Sequence, residues 1–245
     1  MNAIEVKNLK KTYISGHFWN RKRAVALCGV DLKIKEKEVF GLLGLNGAGK
    51  TTLIKIMTGL VFPTFGSASI LGKPAGDVQT RKEMAYLPEM PYFPRYLTPL
   101  EILDFYARLY EVPRKNRKEI ISVALLKVGL YEKKNIKLKE FSKGMLQKVG
   151  IAQLLLNDAK VFFLDEPTYG LDPLATKQMR DIILELKKAG KTIFLNTHQV
   201  SEVKQICDRI GILNKGRLIS EAEVKNIKGS IESYFVKKVA DDGKE

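Results

Sequence analysis

Residues 44–52 read GLNGAGKTT and residues 161–166 read VFFLDE. The first segment fits Gly-x-x-x-x-Gly-Lys-Thr, with Gly44, Gly49, Lys50 and Thr51 in the fixed places and Leu45, Asn46, Gly47 and Ala48 between them. The apolar run 39–43 leads in, so a buried strand feeds a tight loop that feeds a helix. Glycines let such a loop turn so that backbone N–H groups converge, and the positive end of the following helix adds to them. That arrangement holds a string of phosphates, with Lys50 reaching the terminal ones as a point charge and the Thr51 hydroxyl suited to a magnesium ion. A glycine-rich turn that merely starts a helix requires neither the preceding strand nor the Lys-Thr pair.

In VFFLDE, four apolar residues make a buried strand, so Asp165 and Glu166 emerge together at its C-terminal end, where ligands sit in open α/β sheets. Two adjacent carboxylates suit two tasks: Asp165 the magnesium shell beside Thr51, and Glu166 the base that directs water at the terminal phosphate. His198, just past the next apolar run, is within sequence reach of the same phosphate.

The 245 residues are enough for one large α/β domain or two small ones, and 45% hydrophobic residues exclude general disorder. Cys28 and Cys207 have no metal-ligand or redox spacing and read as reduced core thiols of a cytosolic protein. The start, MNAIEVKNLKK, lacks an apolar stretch of signal-peptide length, and the longest uncharged run, 56–72, is broken by glycines and Pro63. The expectation is a chain that does not cross a membrane. Lysine and arginine number 42 against 27 acids, a net charge of +15, with basic clusters at 21–23, 114–118 and 133–139. Nucleic acid, an anionic membrane surface and the nucleotide all attract such a surface, as does plain solvation of lysines. No basic stripe interleaved with aromatic residues argues for nucleic acid in particular.

Periodicity predicts strands at 4–9, 24–34, 39–43, 67–71, 84–87, 161–164, 193–196 and 210–213, with helices from Lys50 to about Thr58 and from about 174 to 188. Pro88, Pro91, Pro94 and Pro99 mark a change of texture, after which 98–155 is helical: an arm inserted in a parallel-sheet core. The stretch 229–245 is polar and charged and is expected to fray.

One further segment, FSKGMLQKVGIAQLLL, lies a few residues before the acidic strand and resembles an ABC ATPase signature, whose common form is LSGGQ. The five residues are Phe141, Ser142, Lys143, Gly144 and Met145. An ordered series then falls into place over about residues 1–220: Tyr13 as an adenine-stacking aromatic, the phosphate loop, Glu89 in YLPE, this signature, LDEPT, Gly170 to Asp172, and His198. The chain is therefore similar to ATP-binding subunits of ABC transporters. That resemblance implies an α/β fold with a P-loop, a RecA-like core, an inserted α-helical subdomain at about 90–158 and an N-terminal antiparallel β region. The domain would span 1–228, with 229–245 as a tail.

The resemblance further implies ATP and Mg2+ as ligands, with ATP held by Tyr13, Gly44, Leu45, Asn46, Gly47, Ala48, Gly49, Lys50, Thr51, Thr52 and Glu89. Metal contacts would come from Thr51, Asp165 and Glu89, and catalysis from Glu166, His198 and Lys50. Two such subunits meet head to tail, so that Ser142, Lys143, Gly144, Met145 and Asp172 serve ATP held by the other chain. An integral membrane permease is implied as partner, the cytoplasmic face of the membrane as location, and no nucleic-acid partner. Stacking on Tyr13 is worth about 1–3 kcal/mol by analogy with other base–aromatic contacts.

Three departures stand out: Glu89 where many relatives have glutamine, Lys143 and Met145 within the signature, and Tyr169 and Gly170 before Leu171 and Asp172. The second, with YLPE, resembles the subfamily paired with separately encoded ABC-2 type permeases and leans toward export. The alternative is a soluble ABC ATPase acting on nucleic acid or ribosomes, but such relatives usually carry two cassettes or long heptad-rich arms. A small P-loop kinase would lack the signature.

Overall fold

The computed structural model describes residues 1–16 and 20–243. The chain opens with β1 (Asn2–Ser15) and β2 (Lys22–Lys35), an antiparallel pair longer than the predicted strands, because the alternation continues past the buried residues into exposed ones. The pairing slips at Ala26, so that Lys11 faces Leu27 while Thr12 faces Val25; this local bulge bends the strand where it meets the phosphate loop.

β3 (Val39–Leu43) is buried at every residue and leads into α1 (Lys50–Met57). Next come β4 (Phe65–Ile70), β5 (Lys73–Pro74), α2 (Val78–Lys82) and β6 (Met84–Leu87). The predicted helical arm resolves into α3 (Pro99–Leu109), α4 (Arg114–Lys127) and α5 (Lys143–Leu155), with short 3-10 turns between α4 and α5. Thr98 and Glu101 close a reciprocal capping box at the start of α3, with Pro99 in the first turn, which fixes where the arm departs.

The core resumes with β7 (Val161–Asp165), α6 (Pro173–Lys188), β8 (Thr192–Asn196), α7 (Val200–Ile206) and β9 (Arg209–Asn214). Two elements then depart from expectation. β10 (Arg217–Glu223) folds back antiparallel on β9, and α8 (Ile231–Asp242) is a three-turn helix in the stretch expected to fray. Ser230 caps α8, Ile231 is buried, and Tyr234, Phe235 and Val239 pack on the core, so its polar composition describes only its outer face. Residues 244 and 245 of the expected tail lie outside the described residues.

The strands form two sheets: an antiparallel one in the order β2-β1-β4-β5, and a six-stranded one in the order β10-β9-β3-β8-β7-β6, parallel apart from β10. α1 is packed between them in one apolar cluster containing Ile4, Leu27, Leu53, Ile54, Phe163 and Phe194. The other face of the large sheet joins the helical arm through a second cluster, which includes Leu87, Leu103, Leu125, Val149 and Leu164. This is the α/β architecture with an inserted helical arm and an N-terminal antiparallel β region. It leaves the C-terminal ends of β3, β8 and β7 side by side.

Candidate functional site

Those three strand ends carry the chemistry. The loop after β3 turns through Gly47 (φ 79°) and Gly49 (φ 107°), and a Cβ on Gly49 would strike the Ala26 carbonyl at the bulge in β2. Only glycine fits there. Lys50 is buried, and its Nζ donates to the carbonyls of Gly44 (2.7 Å) and Leu45 (3.2 Å), which holds the ammonium against its own loop. Burial pushes its pKa below the usual lysine value, and the carboxylates of Glu166, Asp165 and Glu89 oppose that shift.

β8 lies between β3 and β7, and its last residue, Asn196, is level with Leu42 on one side and Asp165 on the other. Asp165 is almost fully buried and accepts hydrogen bonds from Asn196 Nδ2 and from Thr51. Burial raises its pKa, the two hydrogen bonds pull it down, and Glu166 and Glu89 push it up again.

Glu166 has a left-handed backbone (φ 48°), an uncommon state for a residue with a side chain and one that costs about 1–3 kcal/mol. Its N–H donates to the Asn196 carbonyl at 2.9 Å, and its own carbonyl accepts from Tyr169 N–H at 3.0 Å. Its Oε2 accepts from the His198 amide (3.3 Å) and lies 2.8 Å from His198 Nδ1. With Nδ1 engaged, Nε2 is the ring nitrogen left for a ligand.

A cavity of about 480 Å³ gathers these groups, lined by Ala26, residues 46–52, Glu89, Glu166, Tyr169, Asn196 and His198. It is wide enough for a nucleotide triphosphate moiety. Gly44 and Leu45 sit behind it and supply the carbonyls that hold Lys50. Tyr13 is not among the lining residues. It pairs with Ala24 at the outer part of β1, partly exposed, with Lys11 Nζ 4.9 Å from its ring centroid.

The signature residues are elsewhere. Ser142 caps α5 by accepting from Met145 N–H at 3.3 Å, and a Cβ on Gly144 would come within 3.0 Å of the Gly170 carbonyl, a close approach that ties α5 to the loop after β7. Asp172 caps α6 by accepting from Ala175 N–H at 2.8 Å, a bond that holds its carboxyl below the usual range. None of Ser142, Lys143, Gly144, Met145 and Asp172 lines the large cavity. Lys143 instead borders a smaller, mostly apolar one of about 220 Å³ with Glu89, Met90, Tyr92, Tyr169 and Gly170.

The family model for the ABC transporter matches residues 27–169, more than half of the chain. The chain belongs to the ABC transporter family. This ABC ATPase is 45% identical over 237 residues to an uncharacterised ABC transporter ATP-binding protein of Synechocystis sp. (strain PCC 6803), covering 96% of this chain and 67% of that one. It is 35% identical over 233 residues to the SkfA peptide export ATP-binding protein SkfE of Bacillus subtilis, covering 95% and 94%. Among solved structures, a dimeric ATP-binding cassette in a post-hydrolysis state with ADP and Pi superposes with a TM-score of 0.83 at 25% identity, covering 91% of this chain and all of that one. The chain is thus an ATP-binding subunit of the kind found in transporters, and an ATPase.

Two residues at the site escaped the sequence reading. Ala26 matters through its backbone, which no side-chain pattern reveals. Asn196 sits where a lone polar residue ends an apolar run, and such endings are common. The donor set fits a magnesium ion: Thr51, Asp165 and Glu89 offer hard oxygens, and three carboxylates beside a triphosphate would repel it without a divalent cation. Among the described residues no group of three or more His, Cys, Asp or Glu could hold a metal alone.

Proposed function

We propose that this ABC ATPase powers export through a separate membrane permease, hydrolysing ATP in a head-to-tail pair with a second ATP-binding subunit. The observation that carries the reading is the split of its motifs. The phosphate loop, Glu166 and His198 converge on one cavity, with Asp165 bonded to Asn196 in its wall, whereas Ser142, Gly144 and Asp172 lie on other elements and contribute nothing to its walls. A second chain then supplies the missing anion donors, the Ser142 hydroxyl and the amides at the start of α5.

In this mechanism the loop amides and Lys50 bind the β- and γ-phosphates of ATP. Thr51 and Asp165, with Glu89, hold Mg2+, which neutralises phosphate charge when bound. Glu166 takes the proton of the attacking water, and the His198 contacts to Oε2 fix the direction of that carboxylate. Tyr13 stacks on adenine at the outer end of β1, beyond the cavity wall. ATP closes the pair and hydrolysis reopens it.

The permease is felt at 89–100, where Met90, Tyr92 and Tyr96 are exposed at the junction of core and arm. Among the described residues no helix is long and apolar enough to cross a membrane; the proposed location is peripheral, on the cytoplasmic face. Support for export comes from the peptide-export relative and the signature variant. The proposed arm spans 90–158, and the proposed domain extends beyond the expected limit of 228, because α8 packs on the core.

The test is mass spectrometry of what co-purifies with the tagged chain, extracted in mild detergent from its native cells with nuclease present. A stoichiometric polytopic membrane protein is expected. Ribosomal or DNA-bound proteins without a permease would overturn the reading in favour of an ATPase acting on nucleic acid.

A further inference from the structure

We infer that Asn196 is a positioning residue that couples the Asp165 carboxylate, and through its main chain the Glu166 backbone, to the metal–nucleotide complex; the inference rests on the proposed metal role of Asp165. Three contacts converge on it. Its side-chain Nδ2 donates to Asp165 Oδ1, its main-chain carbonyl accepts the Glu166 N–H at 2.9 Å, and the strand register sets it between Asp165 and Leu42, the residue two before the phosphate loop. A single strand end on β8 therefore holds the Asp165 side chain and the Glu166 main chain, and lies next to the strand that feeds the loop.

Glu166 needs this support. Its left-handed backbone is not a resting state for glutamate, and the hydrogen bond that its N–H donates to the Asn196 carbonyl is one of the contacts that keep it there. Among the described residues, the Asp165 carboxylate, 1% exposed, has Thr51 and Asn196 as its hydrogen-bond partners. Removing the amide leaves that carboxylate free to turn about its own torsion.

The remaining atom gives the arrangement its direction. Asn196 is 1% exposed and lines the nucleotide cavity, yet its Oδ1 is buried with no hydrogen-bond partner among the described residues. Buried polar atoms are almost always paired, and an unpaired one at a ligand site calls for a donor. A water on the metal is a strong donor, because the cation polarises it. Asn196 thus meets the metal shell with both ends of its amide, Nδ2 through Asp165 and Oδ1 through water. Outer-shell partners of this kind typically change metal affinity or activity by about 10–100-fold.

The test compares nucleotide binding with and without Mg2+, read by a fluorescent ATP analogue, in the intact chain and in Asn196→Leu, which keeps the volume and removes both polar ends. Asn196→Ser, whose hydroxyl both donates and accepts, serves as the conservative variant and as the fallback if leucine is poorly tolerated. Mn2+ bound in the presence of a non-hydrolysable ATP analogue, followed by electron paramagnetic resonance, gives a second readout independent of turnover. Metal-free analogue affinity is expected to stay within about twofold, the Mg2+-dependent gain and Mn2+ affinity to fall about 10–100-fold, and serine to recover part of the loss. Equal loss with and without metal, or no loss in either, overturns the inference. If the unsubstituted chain itself gains nothing from Mg2+, the metal reading of Asp165 fails first, and the two failures are told apart.

Discussion

His198 Nδ1 lies 2.8 Å from Glu166 Oε2, and the His198 amide donates to that same oxygen at 3.3 Å. One carboxylate oxygen is therefore held from two directions by one residue, on a glutamate whose backbone is already fixed in an uncommon conformation. The second oxygen is the one left for water.

Glu166→Gln keeps the shape and an acceptor while removing the base. Turnover is expected to fall by about 10²–10⁴-fold, with ATP retained and a dimer accumulating. Steady-state phosphate release and light scattering behind gel filtration check both. Unchanged turnover would remove Glu166 from its assigned role.

Asp165 gives a pH-dependent stability prediction whose sign is opposite to that of a paired surface acid. Burial raises its folded pKa, so the folded state binds this proton more tightly than the unfolded one. The stabilising contribution is full below the unfolded value, about 3.9, and is lost as pH rises through the folded value. Asp165→Asn is expected to raise the Tm at neutral pH while lowering ATPase activity at least about 10-fold. The Tm difference should shrink towards pH 4, as thermal melts at several pH values would record; a lower Tm at pH 7 contradicts it.

Much of this site was legible because its strands are buried on both faces. The runs 39–43 and 161–165 are apolar up to the point where function begins, so the loop and the acidic pair stand out against them. The convergence of those ends with His198 follows from parallel strands that must share one C-terminal edge. What sequence hid were features whose meaning is relational. Asn196 acts through its neighbour at the end of β7, Ala26 through a bulge, and Tyr13 stands outside the cavity lining. α8 was hidden because its apolar face is narrow: Ile231, Tyr234, Phe235 and Val239 are spaced for a helix but diluted among lysines and acids.

α8 yields a stability prediction. Ile231 is 3% exposed, Ser220 and Tyr234 share a hydrogen bond of 2.7 Å, and Asn214 donates to Asp242 at 2.7 Å. Ile231→Ala is expected to cost about 2–5 kcal/mol in urea or guanidinium unfolding. A frayed tail would show no measurable change.

The split of motifs between two surfaces leads to the most direct measurement. Asn46 and Ser142 are exposed, the first at the cavity and the second at the cap of α5. Asn46→Cys and Ser142→Cys, each made as a separate chain in a Glu166→Gln, Cys28→Ser background, are mixed with ATP and Mg2+ and treated with a short bismaleimide. A covalent dimer is expected on a denaturing gel, formed from the mixture and dependent on ATP. Absence of that dimer, together with an ATP-dependent cross-link inside single chains carrying both cysteines, would contradict the head-to-tail pair and place the signature over the ATP of its own chain.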